Sequence, residues 1–152
     1  MLGAAPVFLP LSFHHKDSKN TKGHKVTLEP HIEKVGQEII GSAIKVHRLL
    51  GPGLLEGVYQ PCLVHELKKR ALTVAEQVNV PIVFEDLKIE NGLRLDILVN
   101  DLIIIEVKAV EQILPVHQAQ LLSYLRLTEK HLGFLLNFNV PLMKDGIKRL
   151  IR

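Results

Sequence analysis

Between Arg94 and Val110 the chain reads RLDILVNDLIIIEVKAV, and three charged residues interrupt the two apolar runs that flank Asn100-Asp101: Asp96, Glu106 and Lys108. Runs this rich in Ile, Leu and Val suit strands covered on both faces, where an uncompensated carboxylate costs several kcal/mol. Asn100 and Asp101 both tolerate the positive φ of a tight turn, so the stretch is read as an antiparallel hairpin. Glu106 and Lys108, two apart, share a face with Ile104, while Ile103, Ile105 and Val107 point the other way. A two-residue loop would pair Asp96 with Ile105 and put the two acids on opposite faces. A three-residue loop from Asn100 to Leu102, or a bulge, sets Asp96 across from Glu106. The second register is the expected one, because a divalent cation is the usual remedy for two carboxylates that must stay ionised side by side. On the hairpin alone, an ion pair between Lys108 and one acid at a solvated strand edge explains the charges equally well.

Asp96 followed on the next apolar strand by Glu106-Val107-Lys108 resembles the core of the PD-(D/E)xK nuclease superfamily. Gly53-Leu54-Leu55-Glu56-Gly57-Val58-Tyr59 fits the signature of the GxxExxY protein family, and Gln120-Leu121-Leu122-Ser123-Tyr124 fits the QxxxY motif of exonuclease-like branches. The resemblance covers roughly His31 to the C-terminus. It implies an α/β, restriction-endonuclease-like core and a metal-dependent nuclease acting on DNA or, less favoured, RNA. Asp96, Glu106 and the Val107 carbonyl would hold Mg2+ or Mn2+, oxygen ligands favouring these ions over zinc. Lys108 would position water or stabilise developing charge. By resemblance Gln120 and Tyr124 would steady Lys108 or grip the phosphate backbone, and Glu56 would add a metal or water ligand. Glu56 has an equally good structural reading as a favourable charge near a helix N-terminus. The competing function is a catalytically silent nucleic-acid or protein interaction module on the same fold.

The elements that must position these groups follow from periodicity. Ile32, Val35, Ile39, Ile40, Ala43, Ile44 and His47 recur at helical spacing and stop at Gly51-Pro52-Gly53. His47 lies on that stripe and is read as a core-edge residue with a satisfied ring. A second helix is expected from about Leu55 to Ala71, burying Val58, Leu63, Val64 and Leu67 and leaving Glu66, Lys68, Lys69 and Arg70 in water. Pro61 should kink or delay it. Val74 to Phe84 reads as a strand, with Pro81 tolerable at an edge or bulge. Glu85-Asp86 makes a turn, and Asn91-Gly92 a turn or bulge before the Asp96 strand. Pro115 starts a third helix on which Gln120 and Tyr124, four apart, share a face. His117 is read as an exposed first-turn residue. The strand beginning at Gly133 and an edge strand after Asp145-Gly146 complete the order ααβββαββ, a mixed sheet flanked by helices. Lys148 and Arg149 on that edge would blunt aggregation or reach a phosphate backbone.

Composition sets limits on partners. The chain has 152 residues and 47% hydrophobic composition, enough for one packed core. Residues 1–30 are expected to form a disordered tail, polar from Ser12 to Lys25, with His14, His15 and His24 solvated rather than metal-binding; residues 31–152 form the domain. The net charge is +3, but the part after residue 30 holds 15 basic and 14 acidic residues, so nucleic acid must be met by a local patch. Tryptophan is absent and aromatics are 5%, which argues against a dedicated single-strand binder working by stacking. The lone Cys62 excludes an intrachain disulfide and a Cys-based zinc site and favours a reducing, cytoplasmic setting. No apolar stretch approaches a membrane span, and the start of the chain lacks a basic n-region and is broken by Pro6 and Pro10, so it makes a poor signal peptide. A homodimer is one open arrangement.

Overall fold

The computed structural model describes residues 26–152; the expected tail from Ser12 to Lys25, with its histidines, lies outside them. Elements run α1 (Pro30–Leu50), α2 (Glu56–Lys69), β1 (Val74–Phe84), β2 (Leu87–Val99), β3 (Ile103–Lys108), α3 (Pro115–Thr128), β4 (Leu132–Asn137), a 3-10 turn (Met143–Gly146) and β5 (Ile147–Ile151). The expected order is therefore found. One five-stranded sheet has the order β1-β2-β3-β4-β5, antiparallel except for β3 and β4. The single parallel pair is the one joined through α3, as a parallel connection requires a crossover.

The alternation of β3 divides the core. Ile103, Ile105 and Val107 face α1 and α2 in one cluster with Ile39, Tyr59, Leu63, Leu67 and Phe134. Ile104 faces α3 with Leu98, Leu121, Leu125 and Leu135. Leu28 is buried in the first cluster, so packing starts three residues ahead of the expected boundary at 31. His47 is buried with its Nε2 2.7 Å from the Val140 carbonyl oxygen, the satisfied ring expected of it.

Helix α2 corrects two expectations. Val58 is 42% exposed, whereas Glu66 is 7% exposed. The stripe that packs is Tyr59, Leu63, Glu66 and Leu67; Val58 falls off its edge, and Glu66 lies on it whatever its polarity. Lys45 Nζ donates to Glu66 Oε2 at 2.9 Å and Arg70 Nε to Oε1 at 3.1 Å, which answers the buried charge and holds its pKa below the ordinary carboxylate value. Helix α2 also runs through the exposed Pro61 without interruption, starting only five residues earlier at Glu56. Pro81 falls where the β1–β2 register shifts between Val80 and Ile82, a bulge that dispenses with its missing donor. Gly92 sits in the same bulge, where a Cβ would approach Ile82 Cγ1 to 2.5 Å.

Candidate active site

The β2–β3 turn sets the site. Val99 pairs with Ile103, leaving the three-residue loop Asn100 to Leu102, with φ of 50° at Asn100 and 54° at Asp101. The loop is tied down from both sides: Leu102 N–H donates to the Val99 carbonyl, and Asn100 exchanges bonds of 2.7 and 2.8 Å with the Thr73 backbone. With Ile97 opposite Ile105, the same register carries Asp96 to Glu106.

Side-chain contacts match that placement. Asp96 N–H donates to Glu106 Oε1 at 3.3 Å, and Val107 N–H donates to Asp96 Oδ2 at 3.0 Å. A residue's N–H and C=O leave a strand on the same side, so the Val107 carbonyl is also directed towards β2, past the last β2–β3 pair at Ile97. Asp96 marks a break in β2. Leu95 and Leu98, three apart, both pack in the α3 cluster, and Gln77 on the neighbouring strand has φ 49°. The break brings the Asp96 carboxylate against β3 at the point where β3 leaves β2.

Glu106 is 4% exposed, and its carboxyl is pushed up to about 8, first by burial and then by the Asp96 carboxylate beside it. Lys108, half-buried on the same face, opposes the rise through space. It enters none of the ion pairs formed among the described residues. The strand-edge ion pair considered from sequence is therefore not how these charges are arranged. Tyr124, half-buried over the same face, has its pKa raised by burial and by Glu106, while Gln120 Nε2 donates to its hydroxyl at 2.8 Å and opposes the rise. Gln120 and Tyr124 thus share a helix face, as their spacing implies, and Tyr124 stands close enough to feel the charges of Glu106 and Asp96.

Glu56 reaches the same strand end from the other face: its Oε1 accepts the Ala109 N–H at 3.3 Å. Tyr59 explains the Gly-rich stretch around it. Fully buried and stacked on Phe138 at 4.6 Å, it donates to the Gly51 carbonyl at 2.6 Å and accepts the Leu54 N–H at 3.1 Å, so it pins the loop that delivers Glu56. Glu56 and Tyr59, three apart on α2, differ in burial: Tyr59 is in the core and Glu56 is exposed.

Two positioning residues were not foreseen. Buried Asn137, beside Lys108 in the parallel pair, grips Val110 at both its N–H (3.1 Å) and its C=O (2.9 Å), fixing the exit of β3. The signal available was one amide in the apolar run from Gly133 to Phe138. Gln60 Nε2 donates to the Asp96 carbonyl at 3.4 Å. His117 accepts the Leu114 N–H on Nδ1 at 3.0 Å and so closes the start of α3.

The two edge-strand cations are not gathered here. Lys148 pairs with Leu135 and shares the α3 face, but stands two strands from Glu106, about 10 Å at strand spacing. Arg149 pairs with Phe134, projects from the opposite face and is bound by Glu33.

As a cation site the donor set is anionic and oxygen-rich: two facing carboxylates, a backbone carbonyl, and Glu56 nearby. Among the described residues no three His, Cys, Asp or Glu side chains are gathered as a metal cage. One or two carboxylates with water and substrate phosphate is how Mg2+ is normally held, so the residues fit that ion and not structural zinc. The raised Glu106 pKa reflects burial first and the Asp96 carboxylate second, and a divalent cation between the two acids would offset both.

No curated protein and no solved structure is matched. Residues 33–150 match the model of the PD-(D/E)XK nuclease superfamily, whose members generally use divalent metals. With most of its length covered by that match, and with a mixed sheet flanked by helices, the chain belongs to the PD-(D/E)XK nuclease superfamily.

Proposed function

We propose that this protein is a Mg2+- or Mn2+-dependent phosphodiesterase that cuts DNA in preference to RNA, and that it belongs to the GxxExxY branch through Gly53, Glu56 and Tyr59. The observation that carries the reading is the pair of buried Glu106 and half-buried Asp96, set face to face by the three-residue loop and accompanied by a lysine that forms no ion pair among the described residues. Asp96, Glu106 and the Val107 carbonyl would hold the cation, with Glu56 as a further metal or water ligand. The bound cation supplies an acidified water and relief of phosphate charge. Lys108 faces the reacting phosphate from the Glu106 side of β3 and stabilises charge as it develops. Tyr124, its hydroxyl oriented by Gln120, donates to a phosphate oxygen. The scarcity of aromatic residues favours a duplex over a stacked single strand. Among the described residues no helix is long and apolar enough to cross a membrane. A reducing cytoplasm suits the lone Cys62.

One observation favours the silent-module alternative: the Glu106 carboxyl, pushed up to about 8 by burial and by Asp96, can stay protonated beside Asp96 and persist in a structural pair. Calorimetric titration with Mg2+ and Mn2+, together with gel cleavage of a DNA and RNA panel, separates the two. The nuclease binds metal and cuts; a module does neither and shows nucleic-acid affinity that follows its basic residues and falls with salt.

A further inference from the structure

Strands β1 and β2 continue well beyond β3. The β2–β3 pairs end at Ile97, whereas β2 remains paired with β1 back to Leu87, so a two-stranded arm projects past the end of β3 at which Asp96 and Glu106 meet. The arm carries three acids, Glu85, Asp86 and Glu90, against two cations, Lys88 and Arg94. Lys88 is held by Glu90 at 3.1 Å. Arg94 is exposed and makes no hydrogen bond or ion pair among the described residues.

Its surroundings make that freedom notable. Arg94 lies two residues from Asp96, about 6.6 Å along the strand. Leu93 and Leu95 face the α3 cluster, so Arg94 projects from the opposite face, the one on which α2 presents Glu56 at the strand end. Across the ladder stands exposed Asn79, which offers no counter-charge. The nearest carboxylate in sequence, Asp96, is occupied with the Val107 N–H. A guanidinium with no partner among the described residues, carried on the arm two residues from Asp96 and on the face from which Glu56 reaches the strand end, can clasp a phosphate with two bonds. The cations on the edge strand do not: Arg149 is held by Glu33, and α3 packs over the face between Lys148 and the carboxylates.

We infer that Arg94 is a substrate-positioning residue, binding the backbone phosphate next to the scissile one. This rests on the nuclease reading, and the experiment keeps the two separable. Full-length wild type, Arg94→Ala, Arg94→Lys and Lys148→Ala are titrated into a short fluorescein-labelled DNA duplex in Ca2+ across a KCl series, and Mg2+ affinity is measured by calorimetry. The expected result is about tenfold weaker DNA binding for Arg94→Ala, with the salt slope shallower by about 0.9, while Arg94→Lys keeps the slope and Lys148→Ala stays near wild type. Mg2+ affinity stays unchanged in all four, and in the cleavage assay Arg94→Ala raises KM while kcat at saturation is retained. Wild type that binds and cuts DNA, with Arg94→Ala matching it in affinity and slope, overturns this inference alone. Wild type that neither binds Mg2+ nor cuts overturns the nuclease reading, and this inference with it.

Discussion

Replacing Glu106 by Gln turns the buried carboxylate pair into a measurable stability difference. The Glu106 pKa is raised on folding from 4.5 to about 8. A raised carboxyl favours the folded state fully below its unfolded value, and that contribution is lost as pH climbs through the folded value. The window therefore runs from pH 4.5 to about 8, and the whole loss is about 5 kcal/mol at most. In a domain of this size each kcal/mol moves Tm by roughly 3–5 °C. Metal-free wild type should accordingly lose Tm as pH rises across this window. Glu106→Gln, isosteric and uncharged, should lack this component, so the wild-type-minus-variant difference isolates it from titrations common to both. Saturating Mg2+ should restore wild-type stability chiefly at the alkaline end, by about 3 kcal/mol at a hundredfold excess over Kd, and leave the variant unmoved. Differential scanning calorimetry at stepped pH, with EDTA or Mg2+, provides the comparison. Superimposed pH profiles for wild type and Glu106→Gln would refute the argument.

Tyr59→Phe removes the hydroxyl that binds Gly51 and Leu54, and should cost about 1–2 kcal/mol in urea unfolding while lowering cleavage through the displaced Glu56 loop. Asn137→Ala strips both partners from the Val110 backbone and should destabilise by about 2–3 kcal/mol, with an equally stable variant contradicting the clamp. Deleting residues 1–25 should leave Tm nearly unchanged, whereas Leu28→Ala should cost about 2 kcal/mol, because Leu28 is buried in the core.

Alternation and turn chemistry made much of this legible in advance. The Asn100-Asp101 turn, the Glu106–Lys108 face and the Gln120–Tyr124 spacing each follow from residue type and a period of 2 or 3.6. Loop length did not: two positive-φ residues suit loops of either two or three, and the choice is made by the packing of Ile103 and Ile105 against α1 and α2. The break at Asp96 depends on Gln77, a residue with no turn signature, so only the tertiary structure reveals it. Polarity puts Glu66 in water and helical position puts it in the core, and position wins because its partners Lys45 and Arg70 come from another helix and from the end of its own. Lys148 and Arg149, adjacent in a strand, had to face opposite ways, and that much period 2 already contained.

The most direct test of the central claim compares Asp96→Asn and Lys108→Ala in paired Mg2+ titration and DNA cleavage. If Asp96 is a cation ligand, its neutral replacement should weaken metal binding and cleavage together. If Lys108 acts on the phosphate and not on the cation, its loss should abolish most cleavage while metal affinity holds or rises, since a nearby positive charge is gone. Metal affinity left intact by Asp96→Asn, or full cleavage retained by Lys108→Ala, would contradict the account.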